Sequence, residues 1–101
     1  MNPQLPAAVA EVIVDLPETR SISADGAVTW SRGRREFAVL GPSGIELHLD
    51  RAVAAAATRT PDAAPSQRGN DWIRFNPHEL DGHALDRLRA WLELAYRRAA
   101  D

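Results

Sequence analysis

Three groups of residues in this chain are of types that could do chemistry. His78-Glu79-Leu80-Asp81-Gly82-His83 gathers two imidazoles and two carboxylates in a short stretch. A zinc hydrolase of the His-Glu-x-x-His kind needs its histidines at i and i+4, so that one helical turn aims both rings at the metal. Here the spacing is i+5, and Pro77 and Gly82 break the helix that would carry them, so no metal is expected. The stretch reads instead as two helix starts. Asn76-Pro77-His78-Glu79 forms a cap with proline at the first helical position, and Asp81 caps a longer helix. The second group is Arg32-Gly33-Arg34-Arg35, placed between two apolar runs. On a turn between strands its guanidiniums would grip phosphates, giving salt-dependent and sequence-blind affinity; the plainer reading is a solvated hairpin. The third group is scattered. Ser43, Ser66, His48, His78 and His83, with many aspartates, hold the parts of an acid–base set whose proximity in space a sequence leaves open. No nucleophile elbow, phosphate loop or dinucleotide fingerprint accompanies them, so no catalytic residue and no cofactor is assigned.

The elements that must position these residues follow from periodicity. A helix is predicted from Leu5 to Asp15, with Pro6 in its first turn and Leu16-Pro17 as the stop, burying Val9, Val12, Ile13 and Leu16. Three strands follow: Ala27 to Trp30, Glu36 to Leu40, and Ile45 to Leu49, the last with Ile45, Leu47 and Leu49 inward and Glu46 and His48 outward. Asp50 suits the N-cap of an alanine-rich helix from Arg51 to Arg59, which meets the sheet through Val53, Ala56 and Ala57. Residues 60–70 lack periodicity and form a loop or an irregular edge strand around Ala63-Ala64. Trp72, Ile73 and Phe75 supply a further strand that carries Arg74. The closing helix is marked by Leu85, Leu88, Leu92, Ala95, Tyr96 and Ala99 on one stripe, widened by Trp91 and Leu94. Trp72, Phe75, Leu88 and Leu92 are expected in one core, and at least two of Trp30, Trp72 and Trp91 should belong to it. The fold class is therefore α+β, a single domain over residues 1–101 with an antiparallel sheet of four to five strands and N-terminal, middle and C-terminal helices in the order α-β3-α-β2-α.

Composition narrows the function. A chain of 101 residues, 45% hydrophobic and 26% charged, buries about 60 to 70% of its unfolded surface and holds one core unaided. No apolar run approaches the roughly 18 residues of a membrane span. Met1 to Leu5 lacks the basic leader and apolar run of a signal peptide, which predicts a cytoplasmic protein. The absence of cysteine excludes disulfides and thiolate chemistry. All 12 basic residues are arginine, and although net charge is -2, residues 32–59 are locally positive. Arginine suits two-pronged recognition of phosphate or carboxylate.

Several stretches carry a resemblance. Leu16-Pro17-Glu18, Arg35-Glu36-Phe37-Ala38, Glu46-Leu47-His48-Leu49-Asp50, Asp71-Trp72-Ile73-Arg74-Phe75 and Leu94-Ala95-Tyr96-Arg97 resemble the MmcQ/YjbR family of small bacterial proteins over nearly the whole chain. The luciferase-domain family of small proteins has a similar order of strand, tryptophan and closing helix. The MmcQ/YjbR resemblance implies an α+β domain of the type also seen in secretion chaperones, and it implies DNA binding. Arg35 stands where that family's pattern has a lysine. A small non-catalytic binding protein is expected, with weak, non-specific DNA binding through Arg32, Arg34, Arg35 and Arg74. The alternatives are an adaptor that joins a protein partner or a second copy through a sheet edge or the alanine-rich helix, and an enzyme. One positive face would favour DNA, an exposed apolar patch a protein, and a polar pocket around His48 or His78 an enzyme.

Overall fold

A computed structural model describes residues 1–100. Nine elements follow in the order α1 (Leu5–Ile13), β1 (Thr19–Ala24), β2 (Ala27–Arg32), β3 (Arg35–Gly41), β4 (Gly44–His48), α2 (Arg51–Ala57), β5 (Ala63–Ser66), β6 (Gly69–Phe75) and α3 (Gly82–Arg98). The fold is α+β. The strands form one antiparallel sheet in the order β1-β2-β3-β4-β6-β5. It has six strands where the sequence suggests four or five. The additional strand is β1, whose Thr-Arg-Ser-Ile-Ser-Ala run carries little apolar alternation because neither of its faces is covered. Ala63-Ala64 does belong to an edge strand.

All three helices contribute to one core against one face of the sheet. Leu5, Val9 and Ile13 of α1, Ala54 and Ala57 of α2, and Leu88, Trp91 and Leu92 of α3 share a cluster with Ala38, Leu40, Ile45, Leu47, Ile73 and Phe75. Leu85, expected on the buried stripe, is 40% exposed at the outer edge of α3. Among the described residues, no helix lies on the other sheet face. Across it runs a cross-strand row of Ile22, Thr29, Val39, Glu46, Arg74 and Ala64, one residue from each strand. Among the described residues, no helix is long and apolar enough to cross a membrane.

Trp72 is a correction to the expected core. Strict two-residue alternation in β6 sends Ile73 and Phe75 to the helices, and Trp72 goes with Arg74 to the opposite side. Trp91 is buried and Trp30 packs partly against the core, so two tryptophans still serve it. The two predicted caps also differ. Asp81 accepts from the Ala84 N–H at 2.8 Å, as expected. Asn76 to Leu80 form no helix; the Asp62 carboxylate takes the His78 N–H and the Asn2 amide donates to the His78 carbonyl, satisfying these backbone groups in a bent, irregular segment. Asp50 stands at the N-cap of α2 without a side-chain cap bond. Its carboxylate lies instead 3.4 Å from Arg98 Nε.

Candidate functional site

The site is opened by a fault in the sheet. Strands β3 and β4 pair from Gly41 and Gly44 to Ala38 and Leu47 and then separate. On its other side β3 stays paired to β2, but with a register shift: Trp30 faces Ala38 and Ser31 faces Glu36, so Phe37 is an extra residue. Such a bulge bends the strand that carries it. The start of β3 therefore swings away from the end of β4. Phe37 turns inward, is 1% exposed, and meets the Tyr96 ring edge-on at 5.9 Å. The gap is a cleft of about 440 Å³. Arg35, Glu36 and Phe37 form one wall and His48 and Trp72 the other, while Ala95 and Arg98 of α3 and Ala99 just past it close the bottom.

The second wall is held by hydrogen bonds. His48 Nε2 is 2.7 Å from Asp71 Oδ2, and His48 Nδ1 is 3.3 Å from an Arg98 Nη1 that also belongs to the α3 end. A guanidinium only donates, so Nδ1 accepts, and Nε2 carries the hydrogen and donates to Asp71. Arg98 Nη2 reaches the same Asp71 oxygen at 3.4 Å. Its buried Nε lies at ion-pair distance from Asp50 but lacks hydrogen-bond alignment with it. The hydrogen bond from His48 is the main cause that holds the Asp71 carboxyl below its ordinary value, partial burial working against it and Arg98 assisting. Trp72 lies on the imidazole as a stacked pair, and the Arg68 guanidinium sits 5.5 Å from the indole centroid.

This arrangement bears on catalysis. A general base needs a lone pair facing its substrate. Both ring nitrogens of His48 are occupied, so the ring acts as a fixed wall. The other acid–base candidates are not brought together. Ser43 lies in the turn between β3 and β4, and Ser66 donates to Glu46 and accepts from the Arg68 N–H. His78 and His83 line a separate hollow of about 530 Å³ beside Pro61, Asp62 and Arg87. Among the described residues, no hydrogen bond joins a serine to a histidine, and no three of His, Cys, Asp or Glu are grouped to hold a metal ion.

The four predicted arginines separate into different roles. Ala100 N–H bonds the Arg97 carbonyl, which leaves the Tyr96 carbonyl without its usual donor from the next turn. Arg32 Nη1 supplies that bond at 3.2 Å, and its guanidinium lies 4.0 Å from the centroid of the same tyrosine. Arg32 is thus a C-terminal cap of α3. Arg34 is exposed at the β2–β3 turn. Arg35 is exposed at the mouth of the cleft, and among the described residues no carboxylate comes within ion-pair distance of it. Arg74 stands on the uncovered sheet face opposite Glu46, apart from the turn.

The chain is thus a two-layer α+β domain, helices on one face of the sheet, with a polar cleft where β3 and β4 separate. Compared with known proteins it matches no family model, no curated protein and no solved structure. The resemblance to the MmcQ/YjbR family rests on the quoted residues alone.

Asp71, Trp72 and Arg98 are the site residues that sequence reasoning missed. One signal was available: Ile45, Leu47 and Leu49 inward leaves His48 outward, so a polar partner was due beside it. Nothing local indicates that Asp71 and Arg98 are that partner, since they stand 23 and 50 positions away.

Proposed function

We propose that this chain is a non-catalytic binding protein that takes a small anionic molecule into the β3–β4 cleft. One contrast carries the reading. Among the described residues, both His48 ring nitrogens and both Arg98 Nη groups are engaged with protein partners, whereas no carboxylate lies within ion-pair distance of the neighbouring Arg35 guanidinium. The first two give the cleft a fixed shape, and Arg35 is left to pair with a carboxylate or phosphate from outside. Phe37, Ala95 and Ala99 offer the apolar contact that such sites use to hold the rest of a ligand.

Base stacking finds less support. Trp72 has His48 against one side of its ring and Arg68 near the indole, which leaves no bare aromatic platform of the kind single strands use. Arg32 is committed to Tyr96, so a phosphate-gripping turn would have two guanidiniums in place of three.

Calorimetry with short carboxylates and phosphates tests the proposal. Saturable heat that is lost in Arg35→Ala and kept in Arg34→Ala is the expected outcome. Binding indifferent to Arg35→Ala would contradict it. Duplex DNA that binds and is released by Arg34→Ala would move the reading to nucleic acid.

A further inference from the structure

We propose that β1 is a pairing edge for a second copy of this chain, joined antiparallel across a two-fold axis. The two ends of the sheet are built differently. At one end, β5 has four residues, contains Pro65, and loses register between Pro65 and Ser66. Proline, shortness and a bulge are the devices that stop a sheet edge from recruiting another strand. At the other end, β1 has none of them. Its six residues pair with β2 without a break from Thr19–Arg32 to Ala24–Ala27. The strand contains neither proline nor lysine, and Arg20 to Ala24 are all exposed. Among the described residues only β2 pairs with β1, which leaves about 20 Å of regular edge with alternate N–H and C=O groups facing outward. At its centre Ile22 is 68% exposed on the uncovered sheet face.

The distribution of charge selects a copy of the same strand. Arg20 stands near one end of β1 and Asp25 just past the other. A parallel pairing would set Arg20 against Arg20. An antiparallel pairing centred on Ile22 sets Ile22 on its own copy, Ser21 opposite Ser23, Arg20 opposite Ala24, and Thr19 opposite Asp25. Each arginine then lies beside the end of the other strand that bears the aspartate, and no like charges meet. This is an isologous contact, in which one patch is its own complement and the assembly closes at two. Opposed side chains in such a pair lie within contact distance, so the two isoleucines cover each other. A single strand pair is smaller than the roughly 800 Å² per partner of a standard interface, so the dimer forms reversibly with concentration. The inference does not depend on the cleft and its ligand.

Sedimentation equilibrium over a wide concentration range tests it. The wild-type mass should climb from 11.1 kDa toward twice that value, and Ile22→Lys, which places a charge at the centre of the edge, should hold the monomer mass throughout. Because the chain has no cysteine, Ile22→Cys offers an independent check. Mild oxidation should link two Ile22→Cys chains, while Val14→Cys, at a position 78% exposed just past the end of α1 and outside the β1 strand, should stay unlinked. A wild-type chain that remains monomeric at every concentration, a dimer that survives Ile22→Lys, or equal crosslinking of the two cysteine variants would overturn the proposal.

Discussion

The indole of Trp72 lies flat on the imidazole of His48, with centroids 4.6 Å apart and planes 2° from parallel. The two residues are direct cross-strand partners in β6 and β4, so the stack couples the strands at the wall of the cleft. Aromatic pairs contribute about 0.5–1.5 kcal/mol beyond their buried area. A double-mutant cycle of Trp72→Ala and His48→Ala, read by urea unfolding, should give a coupling energy in that range. Additive effects would mean that the rings are neighbours without interaction.

The position of Trp72 outside the helix-facing core sets up a second comparison. Leu88 is fully buried in that core, and Leu88→Ala should cost about 2–5 kcal/mol through lost contacts and a cavity. Trp72→Ala removes a larger side chain from a half-buried place and should cost less. Thermal melts of the two variants decide it, and a larger loss for Trp72→Ala would contradict the assigned face.

Asp71 gives a pH dependence with a defined sign. Its folded carboxyl titrates below the ordinary 3.8, first because His48 donates to it. A depressed carboxyl contributes stability that is present above the unfolded value and is lost as pH falls through the folded one. Wild type should therefore lose stability in the acid range below about 3.8 more steeply than Asp71→Asn, whose amide does not titrate. Urea midpoints of the two proteins followed down in pH should converge. Parallel curves would show that the His48–Asp71 bond is not formed in solution.

Gly44 closes the β3–β4 turn at φ +125°, and a Cβ there would meet the Phe75 carbonyl oxygen at 2.5 Å. Both the backbone region and the contact with rigid main chain are unfavourable. Gly44→Ala should cost at least about 2 kcal/mol. Gly26→Ala, at a positive φ but in open space, should cost less, and equal melting temperatures for the two would contradict the contact.

The sequence and the structure agree where side chains report on burial. Ile45, Leu47 and Leu49 alternate because one face of β4 meets helices, and Leu88 and Leu92 recur because one stripe of α3 does. Strand β1 was not legible because it lies beyond the helical layer and has no burial to encode. Phe37 reads as an ordinary strand residue, since a bulge is a property of two paired strands and not of one. The cleft depends on that bulge, and on Arg98 reaching residues far away in the chain. Arg32 looked like part of a phosphate-gripping turn because the orphan carbonyl it caps, at Tyr96, is 64 positions distant.

The central claim is that the cleft between β3 and β4 receives an anion through Arg35. A nuclear magnetic resonance titration of the isotope-labelled chain with a small carboxylate tests it most directly. The account predicts that the amides of Glu36, Phe37, His48 and Ala99 and the Trp72 indole N–H shift together along one saturable curve, and that Arg35→Ala abolishes the response. Signals that stay still at saturating ligand, or that move only around Gly33 and Arg34, would contradict it.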